Sequence, residues 1–279
     1  MKSRKKAAPT DKLSTKETRF HDYAHALEYD RKAARSDIRA ELALRLVEAL
    51  ALSGNETVLD LATGTGRFAR PVAQRLKQGK IVGLDQAFAM LKVAREQKEP
   101  IPRYLQVAGV ADSLPFRDCS FDCAFVSFAF HHFGRPSLAV VGQVSRVLKP
   151  GGRFMVVDPV LREPLDDLDR SLNDRVNGIF RRSHGEHFHF HTAAEIKGLL
   201  QEGGLRIGRA DIHSFAIDQS GTEGIPTGRH WLEAAEELKR ESEPTQQRFR
   251  ENYLASRRED ETVRVRGSLS YALICGVKR

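Results

Sequence analysis

The stretch Val58-Leu-Asp-Leu-Ala-Thr-Gly-Thr-Gly-Arg-Phe-Ala-Arg-Pro-Val-Ala73 places an apolar run, an acid and a glycine turn in front of a helical pattern. Glycines let the backbone approach a ligand closely, and a helix that follows such a turn presents free N–H groups. Gly64-x-Gly66-x-x-Ala69 matches the loose dinucleotide fingerprint, and Asp85 lies 19 residues past Gly66. By spacing alone, the stretch is compatible with an NAD(P)-dependent oxidoreductase.

Strand-like and helical runs alternate along the chain around this stretch. The predicted strands are 57–62, 80–85, 104–109, 121–128, 153–158, 205–217 and 268–277. The predicted helices are 17–52, 67–78, 87–97, 137–148, 162–183, 193–202 and 229–258. This alternation predicts a doubly wound α/β protein with a mostly parallel sheet and helices on both of its faces.

The net charge of +8 is concentrated near the N-terminus. Residues 1–40 carry 11 Lys and Arg against 6 Asp and Glu, whereas 229–266 carries 9 residues of each sign. A surface of mixed sign is typical of a solvated helix, so we expect no nucleic-acid partner. No run approaches the roughly 20 apolar residues of a membrane helix. The three cysteines fit no metal or disulfide pattern, and we expect a cytoplasmic protein.

Two features favour a cofactor other than a dinucleotide. Asp60 lies at the end of the first strand, where its carboxylate would repel a pyrophosphate bound at the turn. S-adenosylmethionine (SAM) has no phosphate, and its ammonium and sulfonium groups tolerate a nearby acid. In addition, about 40 residues of ordered pattern precede a strand that usually opens a dinucleotide-binding domain.

Four segments carry a resemblance to a known family: VLDLATGTGRFA (58–69), IVGLD (81–85), ADSLPFRDCSFDCAFVSFAFHHF (111–133) and VSRVLKPGGRFMVVD (144–158). In this order they resemble the class I SAM-dependent methyltransferases, and most closely the ubiquinone/menaquinone C-methyltransferase-like small-molecule group. The resemblance covers about residues 55–215. It implies a Rossmann-like, seven-stranded sheet whose last strand is antiparallel, with N-terminal helices and a helical lid.

The domain organisation that we expect is simple. Residues 1–16 form a disordered basic tail, and residues 17–279 form a single methyltransferase domain. Lid segments are predicted at about 17–52, 162–191 and 220–262.

The resemblance assigns the methionine end of the cofactor to the glycine turn. The backbone from Ala62 through Thr63 and Gly64 to Gly66 would cradle that end of SAM. Asp60 would orient the turn or the amino group of SAM, unless it merely caps the turn. Alanine stands at position 62, where many relatives have glycine.

The resemblance also assigns the nucleoside end. Asp85, at the end of the second strand, would accept hydrogen bonds from both ribose hydroxyls, because a carboxylate is an acceptor for two donors. Gln86 and Met90 would flank the adenosine.

The adenine position departs from the family pattern. Relatives often read Gly-Asp-Ala-Glu-x-Leu-Pro, with the Asp or an Asn on the adenine amino group, whereas this chain has Val110 at that position. Backbone groups of Val110 and Ala111 would then recognise the base. Asp112 stands where relatives have Glu and offers an alternative contact. Weakened SAM affinity is the hypothesis that follows.

The fourth strand ends in Ser127-Phe-Ala-Phe-His131-His132-Phe, and the carboxyl ends of parallel strands are where such sheets bind ligands. This segment would face the SAM methyl group, with Ser127 on the cofactor side. A histidine accepts a proton near neutral pH, so His131 or His132 is predicted to deprotonate or orient the acceptor. In the alternative interpretation both histidines have only a structural role, because methyl transfer often needs little beyond positioning of the acceptor.

A second histidine cluster precedes the helix that begins near residue 193. His187, His189 and His191 alternate and would share one face of an extended strand, which allows a metal site. His187 matches the histidine of the relatives' Ser-His-x-x-x-Thr pattern, so the resemblance implies a role in the acceptor pocket. A purely structural or surface role is the third possibility, and we assign no metal.

The class of the methyl acceptor is inferred by excluding the nucleobase methyltransferases. The segment 127–130 lacks the Asn/Asp-Pro-Pro-aromatic pattern of nucleobase amino-methyltransferases, and no cysteine stands where a cytosine C5 enzyme needs its nucleophile. We therefore expect a methyltransferase for a small apolar or aromatic acceptor, with C- or O-methylation favoured. The rival hypotheses are an NAD(P)-dependent oxidoreductase and a methyltransferase-like protein that binds without catalysis. The acceptor's identity and the oligomeric state stay open.

Overall fold

The computed structural model describes residues 18–134, 136–220, 228–259 and 262–279. The helices are α1 (Tyr23–Ala34), α2 (Asp37–Leu50), α3 (Ala69–Ala73), α4 (Phe88–Arg95), α5 (Ser137–Val147), α6 (Asp167–His184), α7 (Ala193–Glu202), α8 (Gly228–Leu238) and α9 (Glu243–Asn252). The strands are β1 (Thr57–Leu61), β2 (Lys80–Asp85), β3 (Tyr104–Ala108), β4 (Phe121–Ser127), β5 (Leu148–Val160), β6 (Leu205–Ser220), β7 (Leu254–Glu259) and β8 (Thr262–Lys278). Short 3-10 turns cover Thr18–His21 and Phe130–His132. The predicted basic tail, 1–16, lies outside the described residues.

The strands form one sheet in the order β3-β2-β1-β4-β5-β8-β6, and β7 pairs with β8. The pairs from β3 to β5 are all parallel, whereas β8 runs antiparallel to β5, β6 and β7. The strand order reverses between β1 and β4, so the crevice at their carboxyl ends is a ligand position in such sheets. The predicted fold class, with an antiparallel last strand, is confirmed.

The central strands are apolar on both faces because helices cover both faces of the sheet. In β1, Val58 packs into the cluster with α2 and α3, whereas Leu59 and Leu61 pack into the cluster with α5 and α7. All three side chains are fully buried. Asp60 is the one polar residue in the buried part of β1, which marks it as a functional position.

The sheet holds one strand more than the seven predicted. The helical pattern predicted over 229–258 ends at Asn252, and Leu254 begins β7, which pairs with the first half of β8. Ser268 donates its backbone N–H to the Tyr253 carbonyl, and Leu254 is buried. Cross-strand pairing with β8 therefore decides the conformation of a segment whose charged residues had favoured a helix.

The described parts of the three predicted lid segments contribute helices and lining residues to the cavity described below, although Leu254–Glu259 is strand β7. The turn at Thr18–His21 and α1 pack on α4, while α6 packs on α8 and α9. Their action as lids remains a prediction. In the described part of the chain, no helix is long and apolar enough to cross a membrane.

Candidate functional site

A cavity of about 1050 Å³ opens at the carboxyl ends of the central strands. Thirteen of the fifteen residues predicted for the site line it: Ala62, Thr63, Gly64, Asp85, Gln86, Met90, Val110, Ala111, Asp112, Ser127, His131, His132 and His187. Segments up to 125 residues apart in the chain therefore meet around one space.

Asp60 and Gly66 do not line the cavity, so the geometry gives them a supporting position rather than a ligand contact. Asp60 is 1% exposed, and the Thr63 hydroxyl donates to its Oδ2 at 2.6 Å. Gly66 has a φ of +77°, which strains any residue with a Cβ, and a Cβ there would also displace the end of the Ile101 side chain. Both residues fix the shape of the turn from below.

The carboxyl group of Asp60 lies in an unusual environment for an ionisable side chain. Its Oδ1 is buried and has no hydrogen-bond partner among the described residues. Burial raises the pKa of Asp60 to about 8, against the opposing effect of the Thr63 hydroxyl. An unpaired acceptor beneath the turn suits a cationic ligand group above it, which would favour the ionised carboxylate.

The glycine turn is tied to Asp85 at the end of β2. Gly64 donates its N–H to one oxygen of Asp85 and Ala87 donates to the other, each at 2.8 Å. Each oxygen keeps a lone pair for a further donor. Ala62 and Gly64 adopt positive φ values of 54° and 56°, and a Cβ on Gly64 would meet nothing within 4 Å. The turn therefore presents bare backbone and a fixed carboxylate to open space.

The wall of the cavity next to Asp85 is less polar than the turn. Met90 is 4% exposed, and Val110 is 44% exposed with its side chain at the cavity. Asp112 is exposed, so no buried acid stands at the adenine position. Met90 and Val110 thus give the cavity an apolar surface beside Asp85, and the predicted adenine contacts of Val110, Ala111 and Asp112 stay a prediction.

His131 is held by an acid that the sequence interpretation missed. Its Nδ1 lies 2.9 Å from Oδ2 of Asp158, which also accepts the His131 backbone N–H at 2.9 Å. Both side chains are almost fully buried. Burial lowers the pKa of His131 and raises the pKa of Asp158, so the pair favours a state without net charge. When the pair loses one proton, the Nδ1–H of His131 donates to the Asp158 carboxylate, and Nε2 is left as a free acceptor.

The other histidines differ in their surroundings. The His132 ring lies 4.3 Å from the His131 ring, and burial lowers the pKa of His132, but among the described residues no carboxylate bonds to it. His187 is half-buried at the cavity. His191 is buried beside Phe130 instead, and His189 lies 3.8 Å from Glu195. The rings of His189 and His191 lie 4.7 Å apart, but the described ranges contain no group of three side chains that could hold a metal ion.

The sequence carried a signal for Asp158, because an acid that ends a buried strand at the carboxyl edge of a sheet faces the ligand crevice. The sequence also pointed to Phe20 and Trp231 as residues that close the pocket, but it gave no signal for the rest of the aromatic wall. Phe20, Phe128, Phe188, Trp231 and Tyr271 come from five separate segments of the chain and all line the cavity.

Residues 58–152 match the family model of a methyltransferase domain. A demethylmenaquinone methyltransferase of Thermus thermophilus is 39% identical over 104 residues, which are 36% of this chain and 46% of that protein. A ubiquinone/menaquinone biosynthesis C-methyltransferase of Syntrophotalea carbinolica is 29% identical over 185 residues, 63% of this chain and 72% of that protein. The match to the Thermus protein thus spans about half of its length.

A crystal structure of a candidate methyltransferase from Bacillus halodurans superimposes with a TM-score of 0.65 at 26% identity. The alignment covers 85% of this chain and 98% of that one. Together these similarities confirm the predicted fold and the predicted resemblance to SAM-dependent methyltransferases, and with it SAM as the cofactor.

Proposed function

We propose that this protein transfers a methyl group from SAM to a small aromatic acceptor. The premise is that residues 58–152 form a methyltransferase domain of the class I SAM-dependent family. The reaction is an SN2 displacement at the sulfonium that releases S-adenosylhomocysteine (SAH) and one proton from the acceptor. A hydroquinone or phenol is the acceptor class that we favour, with transfer to carbon or oxygen.

The observation that carries this proposal is the fixed carboxylate of Asp85 at the cavity wall beside the bare backbone of Gly64. A ribose diol supplies the two donors that this carboxylate can still accept. Asp60 lies beneath the turn, where its carboxylate favours the ammonium group at the methionine end through its charge rather than by contact.

The same geometry argues against a dinucleotide. Its pyrophosphate would sit at the turn near two buried acids, Asp60 and Asp85. The Gly64 N–H is already bonded to Asp85, and α3 has only five residues and begins three residues after Gly66. The N–H groups of Gly64 and Gly66 are thus already bonded and are not free for a pyrophosphate.

His131 is the residue that we propose as general base. It lines the cavity, and Asp158 fixes its ring through Nδ1, which leaves Nε2 for the acceptor proton. Asp158 is a positioning residue, because it acts through His131 and does not line the cavity. His132 and His187 are proposed to orient the acceptor rather than to deprotonate it.

The acceptor class is supported by the aromatic wall and by the relatives' names. Aromatic side chains favour a flat, apolar acceptor through stacking and edge contacts. The Thermus and Syntrophotalea relatives are described as enzymes of quinone methylation. We propose as well that the protein is cytoplasmic and that it has no nucleic-acid partner.

Calorimetric titration with SAM, SAH and NADH tests the cofactor. We expect micromolar binding of SAM and SAH and none of NADH. Binding of NADH alone would establish the oxidoreductase instead. If SAM binds, radiolabelled methyl transfer to a panel of hydroquinones and phenols tests the reaction, and an inactive panel with intact SAM binding would favour a non-catalytic binding protein.

A further inference from the structure

His184, the last residue of α6, uses one of its ring nitrogens in the fold and leaves the other without a partner. Its Nδ1 lies 3.1 Å from the carbonyl oxygen of Phe180, one helical turn earlier. A carbonyl oxygen only accepts, so Nδ1 carries the proton and donates it, and Nε2 keeps a lone pair. No described residue forms a hydrogen bond with Nε2, although His184 is only 5% exposed. The bond to Phe180 therefore explains one nitrogen of the ring but not the other.

The ring of His184 is held by its neighbours and lines the cavity. It stacks on Phe180 at an interplanar angle of 16°, and its centroid lies 4.6 Å from that of Phe188 and 4.4 Å from that of His230. These contacts fix the direction in which Nε2 points. Buried polar atoms in folded proteins nearly always have a partner, and the cavity is the place from which a ligand can reach this nitrogen.

The chemistry of the ring selects the kind of ligand group. Burial, together with the positive charges that His230 and Arg19 can carry nearby, lowers the pKa of His184 to about 2, so the ring is neutral at physiological pH. Nε2 of a neutral imidazole accepts a hydrogen bond and donates none. A carbonyl or carboxylate oxygen would set a lone pair against a lone pair, and Arg19 would repel a cationic donor. A neutral hydroxyl group is therefore the partner that this nitrogen suits.

His184 and the proposed base belong to one cluster of rings. The ring of Phe188 lies 4.9 Å from that of His131 and 4.6 Å from that of His184, and His132 lies 4.3 Å from His131 and 6.1 Å from His184. His131 has the same arrangement of nitrogens, since its Nδ1 faces Asp158 and its Nε2 remains an acceptor. The cluster therefore brings two histidines with unused Nε2 lone pairs to one cavity.

The position of His184 points to the acceptor rather than to the cofactor. Its ring neighbours belong to α6, to α8 and to the segment between α6 and α7, which joins the end of β5 through a bridge between Thr192 and Leu161. The glycine turn and Asp85 follow β1 and β2, which lie on the opposite side of β4 from β5.

We propose that His184 is a binding residue of the acceptor site, and that the acceptor carries a second hydroxyl group that donates to its Nε2. This inference rests on the proposed function and narrows its substrate class to aromatic acceptors with two hydroxyl groups. The first hydroxyl donates to Nε2 of His131, and the aromatic body packs on Phe188.

The probes are naphthalene-1,5-diol and naphthalene-2,6-diol, each compared with the naphthol that lacks its second hydroxyl group. Each compound is titrated into the protein with saturating SAH, which keeps a diol away from Asp85. For the wild type we expect at least one diol to bind about 10-fold more tightly than its naphthol, which exceeds the roughly twofold statistical advantage of a symmetric ligand. His184→Phe keeps a ring on Phe180 and removes Nε2, so it should abolish this advantage. His184→Gln retains an acceptor oxygen and should keep part of it.

The matched control is His189→Phe, because His189 lies 3.8 Å from Glu195 and does not line the cavity. The SAH affinity of every variant is measured first, and the diol advantage of His189→Phe should equal that of the wild type. Equal binding of each diol and its naphthol by the wild type, or an advantage that survives in His184→Phe, would overturn the proposal. So would an equal loss of the advantage in His189→Phe, since the effect would then be a general disturbance of the segment.

The two proposals can fail separately. If the wild type does not bind SAH, the proposed function fails, while titrations without SAH still decide whether His184 selects a second hydroxyl group. A diol held by Asp85 in those titrations would keep its advantage in His184→Phe.

Discussion

The buried carboxyl of Asp60 predicts a specific dependence of stability on pH. Burial raises its pKa from 3.8 to about 8 in the folded protein, whereas the unfolded chain keeps the ordinary value. Between these pH values the folded state binds the proton and the unfolded state does not, so stability falls as the pH rises. From pH 5 to pH 8, this single group should lower the free energy of unfolding by roughly 3–4 kcal/mol.

Asp60→Asn removes this titration with little change in shape. The amide oxygen can still accept from Thr63, and the amide nitrogen replaces an oxygen that has no partner in the described structure. Without ligand, raising the pH from 5 to 8 should therefore lower the free energy of unfolding of the variant by roughly 3–4 kcal/mol less than that of the wild type. Other titrating groups are common to both proteins and cancel in the comparison.

Urea unfolding followed by circular dichroism at pH 5, 6.5 and 8, at constant ionic strength, measures the difference. Asp118→Asn is the control, because Asp118 is a surface acid paired with Arg146, and its profile should follow the wild type. Parallel profiles for the wild type and Asp60→Asn would refute the reasoning, since Asp60 would then be ionised in the fold at an ordinary pKa.

Three further predictions concern the cavity. His131→Ala should lower turnover about 10²–10⁴-fold at unchanged SAH affinity and remove the rise in turnover toward pH 8, whereas His132→Ala should cost less; equal turnover of both variants and the wild type would end the general-base role. Gly66→Ala should be destabilised by about 1–3 kcal/mol, because alanine is strained at a φ of +77°. Gly64→Ala should lose less stability but also lose SAH binding, and tight calorimetric binding by that variant would contradict a cofactor at the turn. Val110→Asp restores an acid at the adenine position and should tighten SAH binding about tenfold, while unchanged affinity would show that position 110 does not meet the base.

Local sequence was enough to predict one half of the site. The turn at Gly64 and the acid at Asp85 lie within a single strand–helix–strand unit, and parallel pairing of β1 with β2 brings them together in a fixed register. The positive φ at the turn needs no distant contact either, because glycine permits it. Adjacent segments thus determine the cofactor half.

The other half could not be predicted in the same way. Asp158 meets His131 only because β5 lies beside β4, with Val157 opposite Ser127 in the register. His184 meets His132 across 52 positions of sequence, and nothing in the pattern of α6 marks which of its side chains will line the cavity. Whether a side chain is buried or paired depends on what packs against it.

The sequence by itself determined the alternation of strands and helices, the glycine turn and the acids at the strand ends, because each follows from backbone preferences and periodicity over a few residues. Only the tertiary structure decided that Asp60 lies beneath the turn, that His131 has a carboxylate partner and that His184 lines the same cavity. Charge and protonation in a cavity depend on desolvation and on neighbours from distant elements, and those neighbours are fixed only when the sheet and its helices pack together.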